Sequence, residues 1–132
     1  MISWLTSYFK GVTSSPPASE MIKEVVETLI KSNSVMACFY IIINHLISQV
    51  FSKSYCPFCV KAKRLLDSLS VKYTAMELDQ ESNGDEIQAY LYQKTQQRTV
   101  PNIFISQDHL GGCDDLHKAH ASGELKEMLS KL

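Results

Sequence analysis

The sequence is poor in the features that mark several specialised classes of chain. Acids and bases nearly cancel, 14 against 13, for a formal net charge of -1, so no excess of positive charge draws nucleic acid to the surface. Four cysteines, Cys38, Cys56, Cys59 and Cys113, are too sparse and unevenly spread for a disulfide framework. No stretch supplies the about 20 predominantly apolar residues of a membrane span. The nearest candidate, residues 35–51, carries Asn44, His45, Ser48 and Gln49 and reads as strand or buried helix. Residues 1–19 contain no acid and no Arg. Their Ser, Thr and apolar content approaches that of an organellar transit peptide, but the helical periodicity is poor. They read as a tail ending in Ser14-Ser15-Pro16-Pro17, and the length fits one domain.

Against this background stands Tyr55-Cys56-Pro57-Phe58-Cys59. A C-x-x-C without a convincing signal peptide points to cytosolic redox or metal chemistry. Val50-Phe51-Ser52 reads as extended. From about Pro57, Leu65, Leu66 and Leu69 recur at helical spacing. Proline suits the first helical position, where its missing N–H costs nothing. Cys56 is then the N-cap, with free N–H groups and the positive end of a helix dipole at its sulfur, a setting that favours the nucleophilic thiolate.

The remaining pattern predicts alternating helices and strands. Ser19 caps a helix carrying Met21, Ile22, Val25, Val26, Leu29 and Ile30 on one side and ending at Asn33. Residues 71–78 form a strand. Ser82-Asn83-Gly84-Asp85 starts a helix that runs to about Thr95. Asn102–Ile105 is a strand, Ser106-Gln107-Asp108 a turn, and His109-Leu110 a return strand. Asp114 or Asp115 starts a helix to Ala121, and Gly123 separates it from a final one. The result is an α/β fold, a mixed sheet with helices on both faces.

Cys56-Pro57-Phe58-Cys59, Thr99-Val100-Pro101 and Gly111-Gly112-Cys113-Asp114-Asp115 occur in the order and spacing of the dithiol glutaredoxins. The chain resembles that family over residues 20–36 and 50–132. The resemblance implies a thioredoxin-like fold with a four-stranded sheet, in a domain spanning 19–132 behind a tail at 1–18. It implies a glutathione-dependent disulfide oxidoreductase with Cys56 as nucleophile and Cys59 as resolving thiol. The expected glutathione contacts are Lys53, Tyr55, Phe58, Gln88, Thr99, Val100, Pro101, Gly112, Cys113, Asp114 and Asp115. Val100-Pro101 resembles the family's cis-proline turn, although an isolated X–Pro bond favours trans. Gly111-Gly112 lets a backbone approach a ligand closely, and the helix start beyond it offers N–H groups to a carboxylate. Lys53, Gln88 and the two aspartates each have a plainer reading, as solvated surface or N-cap residues.

The partners implied are glutathione, glutathionylated or disulfide-bonded client proteins and, indirectly, glutathione reductase with NADPH. No nucleic acid, membrane or metal is expected, and the chain is expected to be a monomer in the cytoplasm, with mitochondria the alternative. His109, His117 and His120 beside Cys113 lack the ligand spacing of a zinc site. Cys113 reads as a secondary thiol and Cys38 as a small buried hydrophobe. Another function class within the family is a glutathione-ligated [2Fe–2S] cluster between two subunits, against which Pro57 argues.

One stretch departs from the family. Ala37 to Gln49 stand between Val35-Met36 and Val50-Phe51, inside the expected first strand. Removing residues 37–49 restores a strand feeding the cysteine motif, as expected if they are a translated, retained intron, which leaves an inactive product as a further alternative. If they are native, Gln49 to Ser54 holds the sheet position, and the insertion is a helical extension or loop.

Overall fold

The computed structural model of the protein describes residues 17–31 and 48–130. Its elements are α1 (Ala18–Lys31), β1 (Ser48–Ser52), α2 (Pro57–Ser68), β2 (Tyr73–Glu77), α3 (Gly84–Thr95), β3 (Asn102–Ile105), β4 (Asp108–Gly111), α4 (Cys113–Ser122) and α5 (Glu124–Ser130). The predicted tail to residue 16, the helix end at Asn33, Cys38 and most of the insertion lie outside the described residues.

The strands form one sheet in the order β2-β1-β3-β4. β1 pairs parallel with β2 and antiparallel with β3, and β3 pairs antiparallel with β4. Strands β1 and β3 are buried along their whole length, and alternation sends successive side chains to opposite faces. Val50, Ile103 and Ile105 pack with Ala62 and Leu66 of α2, Leu116 of α4 and Leu125 of α5. Phe51 and Phe104 pack on the other face with Ile22, Val26 and Ile30 of α1 and Ile87 and Leu91 of α3. The two phenyl rings meet edge to face at 6.0 Å. Each such side chain, fully buried, contributes about 1.5–3 kcal/mol.

Several boundaries differ from those read in the sequence, each for a local reason. Ser48, assigned to the insertion, is a strand residue paired with Tyr73, and Gln49 pairs with Thr74 in the sheet position expected of it, although the strand ends at Ser52 and not at Ser54. Helix α1 opens one residue before Ser19, because the Pro17 carbonyl accepts the amides of Glu20 and Met21. Its buried stripe is Ile22, Val26 and Ile30; Met21 and Val25 sit on the edge of that stripe, 51% and 40% exposed. Strand β2 starts at Tyr73 rather than Val71, because Ser70 takes a left-handed conformation (φ 56°) after α2 and the Val71 amide bonds back to the Leu66 carbonyl. In the β3–β4 hairpin, Ser106 and Gln107 both have positive φ, as a two-residue primed turn requires, so Asp108 already belongs to β4. A bulge follows, with Ile103 opposite Gly111 but Phe104 opposite His109. Helix α4 begins at Cys113 with Gly112 as N-cap. Asp114 and Asp115 therefore occupy its first turn and neither is the cap.

Candidate functional site

The site lies where the inner strands β1 and β3 meet at one edge of the sheet. Phe51 near the end of β1 stands opposite Asn102 at the start of β3, so the segment leaving β1 and the segment entering β3 emerge side by side. The first carries Cys56 and the second carries Thr99-Val100-Pro101.

Cys56 is the N-cap of α2, in extended conformation with Pro57 at the first helical position, as its sequence neighbours predict. A turn delivers it there: its amide bonds to the Lys53 carbonyl at 3.1 Å. That turn is tied to the end of β2. The Ser54 amide donates to Asp79 Oδ1 at 2.8 Å, and the Ser54 hydroxyl donates to the other carboxylate oxygen. These bonds, with the nearby Lys53 charge, hold the Asp79 carboxyl below its ordinary range.

The two thiols of the motif differ sharply. Cys56 is half-buried and Cys59 is fully buried, one helical turn along. Burial pushes the Cys59 thiol up to about 11, opposed by the Lys53 backbone amide and the Ser52 hydroxyl and aided by Cys56. The Ser52 hydroxyl is itself buried, with no other hydrogen-bond partner among the described residues. The Cys56 sulfur lies 3.7 Å from the Val100 carbonyl oxygen, and the Val100–Pro101 bond is cis.

Beside this pair runs an open groove of about 340 Å³. Phe58, Thr99, Val100, Pro101, Gly112, Cys113, Asp114 and Asp115 line it, together with Gln97. The structure thus gathers most of the expected contact residues around one space. Tyr55 and Phe58 present largely exposed rings next to Cys56, 71% and 58%. Lys53 and Tyr55 lie on the Cys56 turn rather than on the groove wall. Gln88 is engaged elsewhere, its amide donating to the Arg98 carbonyl at 2.8 Å. Arg98 in turn stacks its guanidinium 4.3 Å over the Tyr92 ring.

The glycine pair divides its tasks. Gly111 has φ +123°, and a Cβ there would come 2.3 Å from the Asp115 carboxylate, so its close approach is to a side chain of the protein. At Gly112 a Cβ would meet its nearest atoms at 3.7 Å, on Gln97 and Pro101. The Gly112 amide donates to Asp115 Oδ2 at 2.9 Å. Cys113 is buried, and burial is the main cause that raises its thiol, against an opposing pull from Lys61.

Sequence reasoning missed three groups: Asp79, the Ser52 hydroxyl and Gln97. Gln97 donates from Nε2 to the carbonyls of Thr99 at 2.9 Å and Pro101 at 2.8 Å. Nothing in its neighbourhood, Gln96-Gln97-Arg98, marks it by period or motif. Among the described residues, no cluster of three His, Cys, Asp or Glu is placed to hold a metal ion, and no helix is long and apolar enough to cross a membrane.

The glutaredoxin family model matches residues 49–110. Glutaredoxin-1 of Rhizophagus irregularis is 48% identical, over 84% of this chain and 97% of its own length. The chloroplastic Glutaredoxin-C4 of Oryza sativa subsp. japonica is 43% identical, over 90% and 86% respectively. A crystal structure of a buckwheat glutaredoxin–glutathione complex superposes with a TM-score of 0.74 at 41% identity, covering 88% of this chain and 96% of that one. The cysteine motif at a helix start, the sheet that carries it and these relatives agree: the chain belongs to the glutaredoxin family of thiol–disulfide oxidoreductases.

Proposed function

We propose that the protein reduces glutathione mixed disulfides and protein disulfides with glutathione as electron donor, Cys56 acting as nucleophile and Cys59 as resolving thiol. The observation that carries this reading is the contrast between the two sulfurs: Cys56 half-buried at a helix N-terminus, Cys59 buried and held protonated. A thiolate forming at Cys56 faces the free N–H groups and positive end of α2. It attacks the glutathione-side sulfur of a mixed disulfide, the client leaves as a thiolate and takes up a proton, and Cys56 holds the glutathionyl group. A second glutathione thiolate attacks that sulfur, giving glutathione disulfide and free Cys56. Glutathione reductase and NADPH then restore the glutathione.

For a protein disulfide, Cys56 first forms a mixed disulfide with the client. Cys59 then loses its proton, attacks the Cys56 sulfur and releases the second client thiol. Two glutathiones reduce the resulting Cys56–Cys59 disulfide. Nucleophile and leaving-group pKa values set both rates.

The groove beside Cys56 takes the tripeptide. The Val100 backbone offers hydrogen bonds to its peptide part, as an added strand would use them. Its carboxylates meet Lys53 and the N-terminal turn of α4, and Asp114 or Asp115 meets its amino group. Tyr55 and Phe58 cover the sulfur with apolar surface. Gln88 fits this scheme through the Arg98 carbonyl it holds.

The chemistry runs on thiols without a metal, in a monomer of the reducing cytoplasm. Lack of visible absorbance after anaerobic iron–sulfur reconstitution is the expected result. The decisive assay is NADPH-coupled reduction of a glutathione mixed disulfide. Cys56→Ser abolishes it and Cys59→Ser retains it; an active Cys56→Ser protein sinks the proposal. Running the assay on the chain with and without residues 37–49 tests the insertion as well.

A further inference from the structure

The segment Arg98–Pro101 forms one wall of the site and has no helix or strand ladder of its own. Unsupported backbone of this kind moves unless its polar groups are held. Two glutamine amides hold it. Gln88 takes the Arg98 carbonyl, and Gln97 takes those of Thr99 and Pro101, on either side of Val100. Only the Val100 carbonyl of these four is directed at Cys56, 3.7 Å from its sulfur.

The Gln97 amide is itself fixed. Carbonyl oxygens only accept, so the NH₂ of Gln97 must face Thr99 and Pro101, and Oε1 must face the other way. There it meets His109 Nε2 at 3.2 Å. An amide oxygen only accepts, so Nε2 of His109 carries the hydrogen. The imidazole ring is placed by β4 and packs 5.2 Å from Phe104 of the core. Burial lowers its affinity for a proton and Asp115 raises it, and Nε2–H donates to Gln97 in either charge state.

We infer that Gln97 is a positioning residue for the glutathione groove, clamping the backbone on both sides of Val100, and that His109 acts through it by fixing the amide. The inference rests on the groove being the glutathione site. A slack Val100 edge weakens the hold on the tripeptide while Cys56 keeps its place as N-cap of α2, so the loss falls chiefly on KM rather than on kcat.

The test uses the full chain and a peptide carrying one glutathione in mixed disulfide. Gln97→Met removes the donors and keeps the bulk, and Gln97→Ala is its companion should one of them fold poorly. Either raises KM roughly tenfold, as expected for two hydrogen bonds lost from a wall that must stay in place, with kcat within twofold. The alkylation rate of Cys56 by iodoacetamide stays within twofold of the wild-type value, because only the long contact of its sulfur with the Val100 carbonyl is loosened. His109→Ala raises KM by a smaller factor, and the double variant is no worse than the Gln97 variant alone, because neighbours in one network are not additive. An unchanged KM, a loss confined to kcat, an alkylation rate changed by more than twofold or full additivity overturns the inference. Wild-type protein that fails to turn over the mixed disulfide overturns the reading of the groove instead.

Discussion

Ser54 places both its amide and its hydroxyl on the carboxylate of Asp79, 25 residues further along the chain. The bond joins the turn that delivers Cys56 to the far end of β2, so the nucleophile's position depends on an edge strand that contributes nothing to the groove.

Asp79→Ala should therefore loosen the Cys56 turn. The folded-state pKa of Asp79 is lowered, so its contribution to stability is present above the ordinary carboxylate value and disappears as pH falls through the depressed one. In paired denaturant titrations the variant is less stable than wild type at pH 7, and the gap closes below about pH 4. A gap that persists unchanged at pH 2 would falsify the charged hydrogen bond as its source. Turnover of a glutathione mixed disulfide should fall a few-fold.

Cys59 has the opposite sign. Its folded-state pKa is raised from 9.0 to about 11, chiefly by burial, so the neutral thiol stabilises the fold fully below the unfolded value and stops doing so as pH rises through the folded one. Wild type should thus lose stability relative to Cys59→Ser between pH 9 and 11. The same proton must leave before Cys59 can resolve a client disulfide. Reduction of a protein disulfide should keep climbing with pH above 8 and vanish in Cys59→Ser, while reduction of a glutathione mixed disulfide persists in that variant.

The adjacent glycines should separate folding from binding. Gly111→Ala meets both a positive φ and the Asp115 carboxylate, and should cost about 2 kcal/mol of stability. Gly112→Ala has room for its methyl and should lose only the smaller preference of an N-cap for glycine over alanine, well under the loss at Gly111. Because that methyl projects between Gln97 and Pro101 on the groove wall, it should raise KM for glutathione. Thermal melts and steady-state kinetics on the two proteins check the contrast.

Helix α3 ends with Gln96 in the left-handed region at φ 61°, where a side chain costs about 1 kcal/mol relative to glycine. The hydrogen bonds of its amide to Tyr92 and Gln93 are long, 3.4 and 3.3 Å. Gln96→Gly should raise the melting temperature by about 4 °C. A lower melting temperature would show that those bonds outweigh the backbone term.

The parts of this structure legible in the sequence are those set by neighbours in the chain. Pro57 after Cys56 and the leucines that follow fix α2, Asn83-Gly84 fixes the start of α3, and Ile103-Phe104-Ile105 fixes β3. The assembly of the groove was legible because its residues fall in short motifs. What was not legible depends on partners far along the chain. Asp79 follows a strand and resembles any turn residue until Ser54 is brought to it. Gln97 is one of two adjacent glutamines, distinguished only by where the carbonyls of Thr99 and Pro101 lie. The start of β2 was missed because the left-handed turn at Ser70 falls on a residue that rarely adopts it.

The pairing of Phe51 with Asn102 has a practical consequence for redesign. The distance between Cys56 and Val100 is a property of the β1–β3 register, and a slip by one residue would shift the two segments by about 3.3 Å and send the slipped strand's side chains into the wrong one of the two cores. Both strands are interior to the sheet, so such a slip would have to break two ladders at once. The outer strands β2 and β4 each carry one ladder only. Grafts, tags and solubilising substitutions therefore belong on those outer strands, away from the Ser54–Asp79 and Gln97–His109 bonds, where the reacting gap will not register them.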